Sequence, residues 1–219
     1  MNLNTLKKNR TLRSLALRFR YWREQGSFNC GPNKVINKGV RVHSRIQIKG
    51  LGNEVLIGLG GVLFDSLIKV NGKNNRIILH DGAYLRGAEL YVEDNNCTIE
   101  IGANTYIGHH SHFACTEDGS TLKVGSNCMI SSYVQVRTGD SHSILDMEGN
   151  RINPAADVYI GNHCWLGEGC HIMKGVILER DTIVSTGAIV TKSAGPNVLL
   201  AGVPAKVIKE NVNWDENRI

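Results

Sequence analysis

A bulky aliphatic side chain returns every six residues along the carboxy-terminal part of this chain. Ile160, Leu166, Ile172, Leu178, Val184 and Val190 follow one another without a slip. Neither the 3.6-residue period of an amphipathic helix nor the two-residue alternation of a strand yields that spacing alone. A fixed short repeat marks a chain that coils and stacks on itself. Three hexads make one triangular coil, so the sequence predicts an all-β fold, a parallel β-helix with the repeated side chains inside.

The rhythm extends upstream as Ile57 and Leu63, then Leu79, Leu85 and Tyr91, then Ile101, Ile107 and Phe113, then Val124, Ile130 and Val136. The starts at 57, 79, 101 and 124 differ by 22, 22 and 23, a coil of 18 plus a few extra residues. The extras fall in polar segments, 71–75, 93–96 and 117–120, which read as bulging corner loops stacked on one another. From 160 to 178 the step is 18, but from 124 to 160 it is 36. That coil carries an insertion, an extruded loop over 137–157 that begins RTGDSHSI. Two positions before each bulky residue the side chain is small or β-branched, as at Thr105, Ser111, Cys128, Val134, Cys164, Cys170, Val176, Thr182 and Ala188. Gly102, Gly108, Gly125, Gly161 and Gly167 follow the bulky residue, where backbone crowding favours glycine.

Composition excludes several classes. The net charge of +5 is modest and much of it sits at the amino terminus, so nucleic-acid binding is not expected. No window is long and apolar enough to span a membrane. The amino terminus lacks the apolar run and cleavage site of a secretory signal, so the expected location is the cytoplasm. None of Cys30, Cys97, Cys115, Cys128, Cys164 and Cys170 forms a CxxC pair, which predicts free thiols. Three cysteines occupy the small corner slot, where volume explains them without catalysis.

The repeat, together with WLGEGCHIMKGVIL (165–178) and GAIVTKSAGPNVLLAGVPAKVIK (187–209), resembles the bacterial transferase hexapeptide family over roughly residues 35–210. The resemblance implies a left-handed β-helix, a homotrimer, acetyl-CoA as co-substrate and active sites between neighbouring chains. TGDSHSI ahead of VYIGNHCWLG resembles most the O-acetyltransferases of capsule, O-antigen and other bacterial polysaccharides, which implies a saccharide acceptor. A loop can carry a side chain across a groove that the flat face of a coil does not span.

A hydroxyl nucleophile needs a base, and histidine suits that task near neutral pH. The family's catalytic histidine falls on His142, which taken alone would be one more loop histidine. Asp140 is expected to orient the imidazole or to shape the loop, and Asp146 is a further candidate orienter. The resemblance puts Trp165 in the active site, lining both the cofactor and the acceptor. It puts Gly167, Glu168, Thr186 and Gly187 along the pantetheine channel, and Thr191, Lys192, Lys206 and Lys209 on the coenzyme. Glu168 stands where relatives carry a small polar residue. Some relatives have arginine where Lys206 and Lys209 stand, which would add a bidentate fork. The cluster His109, His110 and His112 lacks the separated spacing of the zinc ligands in γ-type carbonic anhydrases of this fold, so no metal is expected. His110 or His112 is expected instead to line the acceptor site.

Residues 1–30 form a separate basic arm. Leu12, Leu15, Phe19 and Trp22 define one face of a helix, with seven cations from Lys7 to Arg23 around it. Such an arm caps the first coil or lies on an anionic membrane through residues 1–25. Residues 211–219 read as a short tail. Two alternatives to a polysaccharide O-acetyltransferase stay open. One is an acyltransferase on an amino sugar, nucleotide sugar or antibiotic; the other is a non-catalytic β-helix scaffold.

Overall fold

The computed structural model describes residues 28–217 and 219, so residues 1–27 of the amino-terminal arm lie outside the described residues, while 28–30 join the first sheet as a strand. The chain winds through three sheets in turn. Sheet A has eight strands, from Phe28–Cys30 to Ile177–Leu178; sheet B has nine, from Val40–Val42 to Ala205–Glu210; sheet C has seven, from Arg45–Lys49 to Ile189–Val190. Each coil visits A, then B, then C, and each strand pairs in parallel with its counterpart one coil away. The product is a triangular prism, a parallel β-helix with A/B, B/C and C/A edges. Antiparallel hairpins close both ends of the described stack, Phe28–Cys30 on Asn33–Asn37 and Ala205–Glu210 on Val198–Gly202. They occupy strand edges that would otherwise be open to pairing.

The six-residue column is the core. Ile57, Leu79, Ile101, Ile107, Phe113, Ile130, Leu166 and Val184 are buried and form one continuous cluster with their repeats. Each such aliphatic side chain contributes about 1.5–3 kcal/mol on burial. The small-residue slot is buried as well, from Thr105 and Ser111 to Thr182 and Ala188. The glycines after the bulky residue answer to coil-to-coil approach, not to unusual torsions. A Cβ on Gly161 would lie 2.6 Å from Arg180 N, and one on Gly125 would lie 2.6 Å from Asn162 N.

Tyr91 is the exception. Leu90 faces the core, in register with Ile68 and Phe113, while Tyr91 points outward. The corner after Leu85 holds one residue fewer than the corner after Ile107, so the step shortens to five. Gly87 turns this tighter corner at φ +63°. Tyr91 instead stacks on His112 and lies under Lys69, whose ammonium is 4.9 Å from its ring.

The extra residues of the early coils do more than bulge. They lengthen the flanking strands: Leu67–Asn71 and Arg76–Leu79 each put two side chains inside, against one for His171–Ile172 and Ile177–Leu178. The segments do stack along the C/A edge, stitched by asparagines. Asn33 Oδ1 accepts from the Asn53 amide N–H at 2.9 Å, Asn53 Oδ1 from that of Asn75 at 3.0 Å, and Asn75 Oδ1 from that of Cys97 at 2.8 Å. Asn75 is fully buried. Truncating it orphans the Cys97 N–H and the Asp94 carbonyl that its amide serves at 2.8 Å. Asn75→Ala is therefore expected to destabilise the fold by about 1–3 kcal/mol, read as a lower urea midpoint at unchanged slope.

Candidate active site

The chain leaves sheet C after Gln135–Arg137 and re-enters sheet A at Val158–Ile160. The intervening loop stands on the C/A edge, directly above the asparagine ladder, and four side chains hold it. Asn153, 7% exposed, donates from Nδ2 to the His142 carbonyl at 2.8 Å and to Asp140 Oδ2 at 2.9 Å. Its Oδ1 accepts from the Ile144 N–H at 2.7 Å. Lys174 reaches back from the next coil, and its Nζ donates to Asp140 Oδ2 at 2.6 Å and to the carbonyls of Asn153 and Pro154 at 2.9 and 3.0 Å. Arg151 forks onto Glu117 at 2.8 and 2.5 Å, which ties the returning limb to the coil below. Glu117 also accepts from the Ala155 N–H at 3.2 Å.

His142 lies exposed at the tip of this framework. It lines a cavity of about 190 Å³ with Glu93, Asp94, Thr116, Glu117, Ser141, Ser143 and Arg151. Thr116 Oγ1 is buried without a hydrogen-bond partner. Asp140 Oδ2 accepts from both Lys174 and Asn153, contacts that shape the loop, and among the described residues Asp140 makes no hydrogen bond to the His142 imidazole. Asp146 is likewise turned away, since its two oxygens accept from the amides of Glu148 and Asn150 and from the Asn150 side chain.

The remaining candidates separate by edge. Gly167 and Glu168 stack under Thr186 and Gly187 on the B/C edge, with the Gly187 N–H donating to the Glu168 carbonyl at 2.8 Å. A Cβ on Gly187 would meet nothing within 4 Å, so this ridge is open on its outer side. Trp165 is 40% exposed on the face of sheet B. Lys206 and Lys209 are exposed on the last strand of that sheet, while Thr191 and Lys192 are exposed on the C/A edge, on the His142 side. None of the three lysines is engaged in an ion pair among the described residues, which fits cations available to phosphates. In a triangular section the C/A edge is the vertex opposite sheet B. His142 and Trp165 of one chain therefore face away from each other.

His110 and His112 border a second cavity of about 310 Å³ with Asp65 and Glu89. His110 stacks on Tyr133 at 4.9 Å, and His112 Nδ1 is 3.3 Å from Glu89 Oε2. This cavity belongs to the B/C edge and sheet C and does not include His142. No cluster of three potential metal ligands occurs among the described residues. Cys97, Cys115, Cys128, Cys164 and Cys170 are free and buried, and burial pushes the Cys170 thiol up to about 12.

Sequence reasoning did not find Lys174, Asn153, Arg151 or Trp214. The Trp214 indole stacks on His163 at 4.5 Å and donates to the His163 carbonyl at 2.8 Å, strapping the tail along the A/B edge. A lysine in the stretch MKG and an asparagine before a proline carry no signal of contact with a loop residue 34 or 13 positions away.

A parallel β-helix with one extruded histidine loop and open, cation-flanked coils above it is the architecture of a hexapeptide-repeat acyltransferase. Residues 157–192 match the family model "Bacterial transferase hexapeptide (six repeats)". A polysialic acid O-acetyltransferase of Neisseria meningitidis is 33% identical over 173 residues, covering 78% of this chain and 79% of that relative. Galactoside O-acetyltransferase of Escherichia coli is 32% identical over 54% of this chain and 60% of its own. The crystal structure of the polysialic acid O-acetyltransferase OatWY superposes with a TM-score of 0.82 at 30% identity, covering 86% of this chain and 90% of that one. The chain belongs to the bacterial transferase hexapeptide family. It is a left-handed β-helix and an acyl-CoA-dependent acetyltransferase.

Lys174, and then Asn153, hold the Asp140 carboxyl below the usual carboxylate range. A depressed pKa makes this anchor complete above the ordinary value near 3.9 and lost as pH falls through the lowered one. The protection factor of the Ile144 amide, its exchange taken relative to the intrinsic rate at each pH, is expected to hold at pH 5 and to fall only below about pH 4.

Proposed function

We propose that this protein transfers an acetyl group from acetyl-CoA to a sugar hydroxyl of a bacterial surface polysaccharide, or of its precursor, with His142 as general base. The imidazole takes the hydroxyl proton as the oxygen attacks the thioester carbonyl. The carbon–sulfur bond then breaks, and the proton returns to the departing thiolate. The similarity to polysialic acid O-acetyltransferases supports a polysaccharide acceptor. Open backbone at Gly187 and unpaired Lys192, Lys206 and Lys209 support a coenzyme lying along the last coils. Acetyl-CoA is an intracellular thioester, which agrees with action in the cytoplasm.

One observation carries the reading. The base stands on the C/A edge and Trp165 on the opposite face, so one chain does not assemble both halves of a site. We infer a homotrimer in which the His142 loop of one chain meets the sheet B side of its neighbour. Closed symmetric rings of identical chains satisfy such an interface for every copy.

His142→Ala is expected to lower acceptor-dependent release of free thiol from acetyl-CoA at least about 100-fold. Unchanged release would overturn the site. Refolding His142→Ala chains together with Trp165→Ala chains is expected to restore activity to about one quarter of wild type, the fraction of shared sites that receive both intact residues. A mixture no more active than its parents would place the whole site within one chain.

A further inference from the structure

We propose that Lys174 and Asn153 are positioning residues that fix His142 for proton transfer, acting as a two-stage clamp. This rests on the reading of His142 as base. The first stage is Lys174, which stands on the coil after the loop. Its ammonium takes three acceptors at once, Asp140 Oδ2 at 2.6 Å and the carbonyls of Asn153 and Pro154 at 2.9 and 3.0 Å. One side chain thereby draws the outgoing and returning limbs of the loop onto the same point. The second stage is Asn153, whose amide grips the backbone immediately after the base. It donates to the His142 carbonyl and accepts from the Ile144 N–H. Asp140 links the stages, because its Oδ2 receives both Lys174 and Asn153.

The chemistry of the clamp points to positioning and not to bulk stability. A lysine ammonium has three donors, and all three have acceptors here. Side chains of Lys174 and Asp140 are 23% and 27% exposed, which leaves the pair only partly screened by water. His142 and Ser143 are exposed and contribute nothing to the core. Without the clamp, the backbone carrying the imidazole would keep only the hairpin bond from the Ile152 N–H to the Ile144 carbonyl at 2.9 Å and, through that hairpin, the Arg151–Glu117 pair. A displacement of about 1 Å in a reacting group costs up to about 100-fold in rate.

The test is a double-mutant cycle on the full-length protein, read as kcat and KM for acetyl-CoA and acceptor. Lys174→Met is expected to lower kcat about 10- to 100-fold while leaving KM for acetyl-CoA within about twofold. Lys174→Arg, which keeps the charge and several donors, is expected to recover much of the loss. In the His142→Ala background, Lys174→Met is expected to cost almost nothing further, because the base it positions is gone. Losses that multiply in the double variant would show that Lys174 acts on something other than His142 and would overturn the proposal. So would an unchanged kcat in Lys174→Met. If Lys174→Met does not fold, Asn153→Asp replaces it in the same cycle, with the same two outcomes. That substitution keeps the acceptor for Ile144, removes both donors and sets a second carboxylate against Asp140. A fully active His142→Ala single variant would instead sink the reading of the base itself, and the clamp with it.

Discussion

Everything in this molecule depends on each coil hydrogen-bonding to the next in parallel register. Parallel strands stack about 4.8 Å apart, so a coil has room for its neighbour only if both follow the same path. That condition explains why one bulky residue recurs at each inward position. It also explains glycine after that residue, where a Cβ would strike the next coil. It forbids insertions anywhere but at an edge, and the chain obeys. Extra residues in the early coils gather on the C/A edge, where the stacked asparagines Asn33, Asn53 and Asn75 satisfy backbone groups that a longer corner would strand. The long loop departs from the same edge one coil later.

A regular prism has flat faces, and a flat face is a poor place for catalysis. The fold departs from that flatness in one long loop, costly to order and then stabilised. Ordering twenty residues of irregular chain costs conformational entropy on the order of 1 kcal/mol or more for each. Against that cost stand the Glu117–Arg151 fork, the Asp140–Lys174 pair and the amide of Asn153. Arg151 holds the Glu117 carboxyl below the usual range, and Lys174 does the same for Asp140, so both carboxylates stay charged at neutral pH. The two ion pairs join the loop to different coils, one below and one above, and Asn153 ties the loop to itself. The rigid stack thus lends its order to the only long irregular segment among the described residues.

How much of this was legible follows from which forces leave a trace in sequence. The inward column was legible because burial imposes residue type at a fixed step, and so was the insertion, because it broke that step. Tyr91 was misread because an aromatic residue satisfied the count while the tighter corner at Gly87 moved the core position to Leu90. The extra residues read as loops because their polarity is visible, whereas the lengthening of the flanking strands was hidden in a run that kept its alternation. Asp140 could be placed in the loop but not assigned a partner. Its partners are Lys174 and Asn153, and a hydrogen bond between side chains so far apart in sequence has no local signature. The same holds for Trp214, whose stacking on His163 depends on where the tail returns.

The separation of His142 from Trp165 has a consequence for control. Under the proposed mechanism, the base and the wall that receives the thioester are on opposite sides of one prism. An isolated chain then presents an exposed histidine to solvent with no activated acyl group beside it. In that reading assembly brings the loop of one chain to the face of another, and acetyl-CoA bound to a lone chain would lack the base that activates a nucleophile toward it. The stack enforces this division. The loop cannot migrate to sheet B without breaking the anchors to Glu117 and Lys174, and sheet B cannot turn toward the loop without breaking the coil. Rigidity, which in a single chain would prevent a site from closing, is what would allow two copies in the proposed assembly to complete one with little rearrangement.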